Sequence, residues 1–143
     1  MPVYGGFEPA VHLALGLADK IAIVTVVKNV VPMIEHHVSG AHLDGRIVDV
    51  SYVSMPVMEL TDHDRLVDAL VEKSIRKIEE KHAQAIVLGC TAMIEVAERV
   101  KEQLLAKGYD VPVLEAAQTA LMLLELQVKM GLTHSRETYG KHK

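Results

Sequence analysis

A single cysteine, a single phenylalanine and no tryptophan occur in 143 residues. One cysteine excludes an intrachain disulfide and suits a reducing compartment, so a cytoplasmic location is expected. Aromatic residues make up only 3% of the chain, so its core must be packed from Val, Ile, Leu, Ala and Met, and the seven methionines read as core filling. Positive charge is also scarce. The net charge is −4, no basic stripe is present, and four scattered tyrosines make no stacking platform, which excludes nucleic acid as an expected partner. No apolar run reaches the ~18 residues of a membrane span. The longest, such as IAIVTVV, are strand-sized, and the opening MPVYGG has no basic segment leading into an apolar one, so neither a membrane anchor nor a signal peptide is expected. Repeats, low-complexity segments and flexible linkers are missing as well. The reading is one domain over residues 1–143, with residues 131–143 a polar, extended tail.

What is present is 50% hydrophobic and patterned. Runs rich in β-branched residues at Ile21–Thr25, Arg46–Val53 and Ala85–Leu88, with a weaker one at Val111–Glu115, are near-continuously apolar, as strands buried on both faces of a parallel sheet are. Helical spacing lies between them. DHDRLVDALVEKSIRKIEEKH puts Leu66, Leu70, Ile75 and Ile78 on one face, with Asp62 or Asp64 as N-cap. MIEVAERVKEQLLAKG repeats the pattern through Met93, Ala97, Val100 and Leu104 and stops at Gly108. EAAQTALMLLELQVKMG is apolar around most of its circumference, which predicts burial against more than one surface, and EPAVHLALGLA has the same character. Alternating strands and helices predict an α/β fold: three αβα layers around a four-stranded, mainly parallel sheet.

Such sheets bind ligands at the carboxyl ends of their strands. One of those ends is AIVLGCTAM, where the chain's only thiol, Cys90, follows a glycine. The glycine permits a sharp turn and close approach of a ligand, and a helix starting directly after it would present N–H groups to a thiolate or a carboxylate. A free cysteine is also at home in a core as a small hydrophobe, so position alone leaves both readings open. Other polar residues have plainer explanations. His36 and His37 are adjacent, so they point in different directions, and neither belongs to a metal-binding spacing. His12 reads as a partly buried histidine, Asn29 as an N-cap, and Glu8 beside Pro9 as a favourable charge at a helix start.

The residues around Cys90 also carry a resemblance. IVLGCTAMIEV is similar to the second cysteine motif of the aspartate/glutamate racemase superfamily. VPVLEAAQTALMLLELQVKMGLTHSRETY resembles the closing strand, helix and tail of the hydantoin/allantoin racemase branch, and PVYGGFEPAVHLALGLADKIAIVTVVKNVVPMIEHHV resembles the middle of those enzymes. The likeness covers essentially the whole chain. It implies one lobe of a two-lobed racemase fold and a cofactor-independent, metal-free racemisation of a hydantoin or amino-acid derivative. In that reaction one cysteine removes an α-proton while another delivers a proton to the opposite face. Carried onto this chain, Cys90 is the second cysteine, Thr91 and Ala92 supply backbone N–H groups to the substrate, Thr25 holds its polar end, and Glu8 opens its helix with a less defined role.

The departures carry expectations too. Val26 stands where many relatives have a second threonine, and Ala92 where amino-acid racemases have an acidic residue or histidine, which points away from free aspartate or glutamate. The chain begins near the middle of such enzymes, without the segment that carries the first lobe and the first cysteine. Leu121, Leu124 and Val128 are then expected to face solvent, another subunit of a homo-oligomer, or a separately encoded first lobe. Two alternatives to racemisation remain: a one-cysteine decarboxylase of the arylmalonate type, with the thiol as proton donor only, and a non-catalytic binding or assembly lobe.

Overall fold

Each run of β-branched residues is a strand. In the computed structural model, which describes residues 3–140, these are β1 (Ile21–Thr25), β2 (Ile47–Tyr52), β3 (Ala85–Leu88) and β4 (Val113–Glu115). They form one sheet in the order β2-β1-β3-β4. Every neighbouring pair is parallel, with Ile23 opposite both Val50 and Val87, and Val87 opposite Leu114. The α/β fold is therefore as expected, and its sheet is wholly parallel. β1 and β3 are buried along their full lengths, as central strands covered on both faces must be.

The two-residue period of the strands divides the core. Ala22, Val24, Val26, Ile86 and Leu88 point to one face, where α3 (His63–Lys81) and α4 (Ala97–Ala106) pack with Leu66, Leu70, Val100 and Leu104. Ile21, Ile23, Ala85 and Val87 point to the other, against Ala10, Val11 and Ala14 of α1 (Phe7–Leu17) and Ile34 and Val38 of α2 (Val31–Gly40). Each fully buried Leu or Ile contributes about 1.5–3 kcal/mol of burial. Arg46 ties α1 to the start of β2 by donating to the carbonyls of Leu15 (3.1 Å), Ala18 (2.9 Å) and Asp19 (2.8 Å).

Caps follow the sequence closely. Asp62 accepts from Arg65 N–H at 3.2 Å to start α3. α4 ends in a Schellman arrangement: Gly108 has φ +91°, its N–H reaches Leu105 O, and Tyr109 N–H reaches Leu104 O, each at 2.9 Å.

Several expectations fail, each for a physical reason. The helix after Cys90 does not begin at Met93 but at Ala97. Met93 and Val96 are fully buried, yet they reach the core from an irregular loop, because Glu95 is left-handed at φ +60° and interrupts helical continuation. Apolar spacing alone could not separate a helical turn from a loop that buries the same residue. α5 (Ala116–Lys129) is not buried on several surfaces: it packs on α1, while Leu121, Met122, Leu126 and Val128 are exposed. Of the expected core methionines, Met55 and Met93 are buried, whereas Met33, Met58, Met122 and Met130 are exposed. His12 is exposed, and Asn29 lies inside a single 3-10 turn at Lys28–Val30 instead of capping α2. The tail is not extended throughout. Ser135 caps one short helix, α6 (Arg136–Tyr139), and His134 accepts from Val3 N–H at 2.9 Å with its ring 5.4 Å from that of Tyr4.

Candidate functional site

The strand order makes the site. After β1 the chain moves to β2 on one side, then returns to place β3 on the other side of β1. The connections leaving β1 and β3 therefore diverge, and a crevice opens between them at the carboxyl edge, the switch point where parallel sheets bind ligands. A cleft of about 560 Å³ lies there, within the usual size range of small-molecule sites.

Four pieces of chain build it. β1 ends in Thr25, Val26 and Val27, and β3 in Gly89, Cys90 and Thr91. These two ends are adjacent because Val24 pairs with Leu88 and Gly89 N–H donates to Val24 O at 2.9 Å. The start of α1 contributes Gly5 to Glu8, and α2 contributes Met33, Ile34 and His37, with Val30 just before it and Val57 across the mouth. Glycine at 89 is a packing requirement: a Cβ there would stand 2.9 Å from Ile23 Cγ2. Gly6 is similarly close to the Thr91 methyl group.

Of the residues singled out from sequence, Cys90, Thr25, Val26, Thr91 and Glu8 line this one cleft. Cys90 is a free, half-buried thiol packed against the core on the α3/α4 side. Thr25 is almost fully buried, and Val26 forms part of the floor while burying its side chain in that same core. Ala92 is exposed and does not line the cleft; the chain turns there, with Met93 N–H donating to Cys90 O at 3.0 Å. The electrostatic surroundings of the thiol also differ from expectation. The N-terminus of α4 lies several residues beyond Cys90, and the N–H of Val96, its N-cap residue, is directed at buried Glu115, whose Oε2 accepts it at 3.3 Å. At the two strand ends the polar side chains sharing the cleft with Cys90 are Thr25 and Thr91.

Sequence reasoning passed over His37 and Met33. The available signal was the spacing of Val30, Met33, Ile34 and His37, which puts all four on one helical face, but nothing in the sequence says that this face borders Cys90. Among the described residues no group of three His, Cys, Asp or Glu side chains is placed to hold a metal ion, and no helix is long and apolar enough to cross a membrane.

Comparison with known proteins places this arrangement. The Asp/Glu/hydantoin racemase family profile matches residues 1–124. A hydantoin racemase of Pseudomonas sp. (strain NS671) is 30% identical over 140 residues, covering 96% of this chain and 54% of that protein. A hydantoin racemase of Rhizobium meliloti is 29% identical over 141 residues, covering 97% and 56% respectively. The crystal structure of allantoin racemase from Pseudomonas fluorescens superposes with a TM-score of 0.88 at 29% identity, covering 100% of this chain and 60% of that one. The chain thus spans little more than half the length of the curated relatives it matches. With the family profile matching residues 1–124, a span that includes the sheet and the residues lining the cleft, this chain belongs to the Asp/Glu/hydantoin racemase family.

Proposed function

We propose that the cleft racemises a small carbon acid of the hydantoin or allantoin type by cofactor-independent proton transfer, with Cys90 as a catalytic residue. The observation that carries this reading is the position of the chain's only thiol. It lies at the end of β3, beside the end of β1, in a cleft that otherwise offers an apolar wall and a few polar groups. A thiolate there takes the proton from a carbon acidified by its neighbouring carbonyl, and the electron pair moves into that carbonyl. Thr25 and Thr91 hold the carbonyl end, Val26 shapes the floor, and Glu8 stands at the rim. A reducing cytoplasm keeps such a thiol available. The test is exchange of the substrate α-proton in deuterated water over a panel of hydantoins, allantoin and amino acids, with Cys90→Ser as control. Wild-type exchange that the variant lacks supports the reading; equal behaviour of the two ends it.

A second reading is favoured by the exposed apolar face of α1 and α5, where Leu13 and Leu17 join Leu121 and Val128, together with the chain's partial span of its relatives. In this reading the chain is one lobe of a split enzyme, and a second α/β lobe covers that face. Size measurement of the purified chain, with and without the product of the adjacent coding region, separates heteromeric assembly from self-association and from a stable monomer.

A further inference from the structure

We infer that Glu115 is the positioning residue of the Cys90 turn, holding the loop between the thiol and α4 through a hydrogen bond from Val96 N–H. What it does for proton transfer rests on the racemisation reading above. Glu115 closes β4 after Val113 and Leu114, and it is itself buried. Taking a carboxylate out of water carries a cost that well-placed hydrogen bonds offset. The bond it makes goes to the loop that starts at Cys90: its Oε2 accepts from Val96 N–H at 3.3 Å.

The start of α4 explains why an acceptor comes from outside. A self-sufficient helix start has an N-cap side chain that accepts one N–H, and a side chain three residues on that accepts the N-cap's own N–H. Here the N-cap is Val96, which carries no acceptor, and three residues on is Arg99, a donor paired with Asp64 of α3. Glu115, on a different strand, stands in for that reciprocal partner.

The anchor is well fixed, and a short path joins it to the thiol. Glu115 lies opposite Leu88 of β3, two residues before Cys90, and its carbonyl accepts from Thr119 Oγ1 of α5 at 2.8 Å. From Val96 the loop runs back through Glu95, left-handed at φ +60°, to Met93, whose N–H reaches Cys90 O at 3.0 Å. Met93 and Val96 are fully buried in the core on which Cys90 also packs. Apolar burial holds those two side chains without setting a direction, whereas the bond to Glu115 is directional. Losing it loosens the segment that brings Cys90 and Thr91 to the cleft, and misplacing a reacting group by about 1 Å costs about 100-fold in rate.

The experiment compares wild type, Glu115→Ala, Glu115→Gln and Leu70→Ala, the last a cavity in buried α3 that removes no hydrogen bond. Amide hydrogen exchange under native conditions is followed by NMR, and α-proton exchange of 5-methylhydantoin in deuterated water gives kcat and KM. In Glu115→Ala the amides of Val96 and Met93 are expected to exchange about tenfold faster or more, relative to those of β1, with a fall in kcat of about tenfold to 100-fold. Glu115→Gln, which keeps an acceptor oxygen, is expected to recover most of both. Leu70→Ala is expected to shift loop and β1 amides together and to leave kcat of the folded protein near wild type, which separates positioning from general stability. Loop amides that track β1 in Glu115→Ala overturn the assignment, as does a kcat equal to wild type in that variant. A wild type that exchanges the α-proton of no hydantoin, allantoin or amino acid overturns the racemisation reading, and the hold of Glu115 on the turn is then decided by the amide exchange alone.

Discussion

Glu115, the last residue of β4, accepts a hydrogen bond at Oε2 from Val96 N–H, 3.3 Å away, at the start of α4. Both residues are buried. The bond closes the loop that begins at Cys90, so the carboxyl end of an outer strand holds the segment following the thiol. Removing the acceptor leaves a buried N–H without a partner, which costs about 1–3 kcal/mol. Glu115→Ala is therefore expected to lower stability by about 2 kcal/mol in urea denaturation, and Glu115→Gln, which keeps an acceptor oxygen, by less.

Gly6 and Thr91 come from distant parts of the chain and touch at the cleft wall. Gly6 has an ordinary backbone conformation, φ −68° and ψ −26°, and the methyl of an alanine would clash with the Thr91 side chain while meeting Ala116 at an ordinary 3.9 Å. Gly6→Ala is expected to change stability by less than about 1 kcal/mol yet raise KM for any substrate of the cleft by displacing Thr91. Adding Thr91→Ser, which removes the obstructing methyl group, is expected to restore KM.

Gly89 differs because its neighbour cannot move. Ile23 is fully buried in the central strand, and an added Cβ at 89 would press on it at 2.9 Å. Gly89→Ala is expected to cost about 1–3 kcal/mol as an overpacked core does, and to displace Cys90 with it. Adding Ile23→Val is expected to recover part of the stability, measured by the same denaturation.

Lys77 on α3 lies 3.2 Å from Asp49 on β2, with side chains 14% and 17% exposed. This pair sits between the negligible surface ion pairs and the deeply buried ones whose disruption costs 3–5 kcal/mol. Lys77→Met alone is expected to cost about 2 kcal/mol by stranding the carboxylate, whereas the double variant Lys77→Met, Asp49→Leu is expected to lie closer to wild type. A double-mutant cycle by denaturation checks the coupling.

Tyr109 donates a hydrogen bond from its phenol to Glu79, which raises its pKa above the ordinary 10.0 through that bond, then burial, then the neighbouring negative charge. A raised folded-state pKa means the stabilising contribution is present below the unfolded value and is lost as pH rises through the folded one. Glu79→Gln is expected to bring the Tyr109 phenolate absorbance transition to lower pH, with Tyr109→Phe identifying that transition among the four tyrosines.

Much of the scaffold was readable in advance. Ile21–Thr25 and Ala85–Leu88 are continuous β-branched or aliphatic runs too short for helices, so burial on both faces followed from composition alone. Asp62 and Gly108 mark helix ends because capping is local chemistry between neighbours in sequence. The start of α4 was not readable. The left-handed turn at Glu95 and the acceptor at Glu115 are respectively a conformation unusual for that residue type and a partner nineteen positions away. The exposure of Leu121 and Val128 was expected only through the resemblance to longer relatives, since an apolar circumference records what a helix can bury and not what packs against it.

The sequence by itself determined a parallel α/β sheet and a lone thiol at a strand's carboxyl end, because hydrophobic period and local turn chemistry are properties of adjacent residues. Only the tertiary structure decided which residues share a cleft with that thiol. By placing β1 between β2 and β3, it brought Thr25 beside Cys90 and put α2 on the opposite side of the sheet from the thiol's core, so that His37 reaches the same cleft. Strand order arises from long-range packing of the two cores, and no local pattern encodes it.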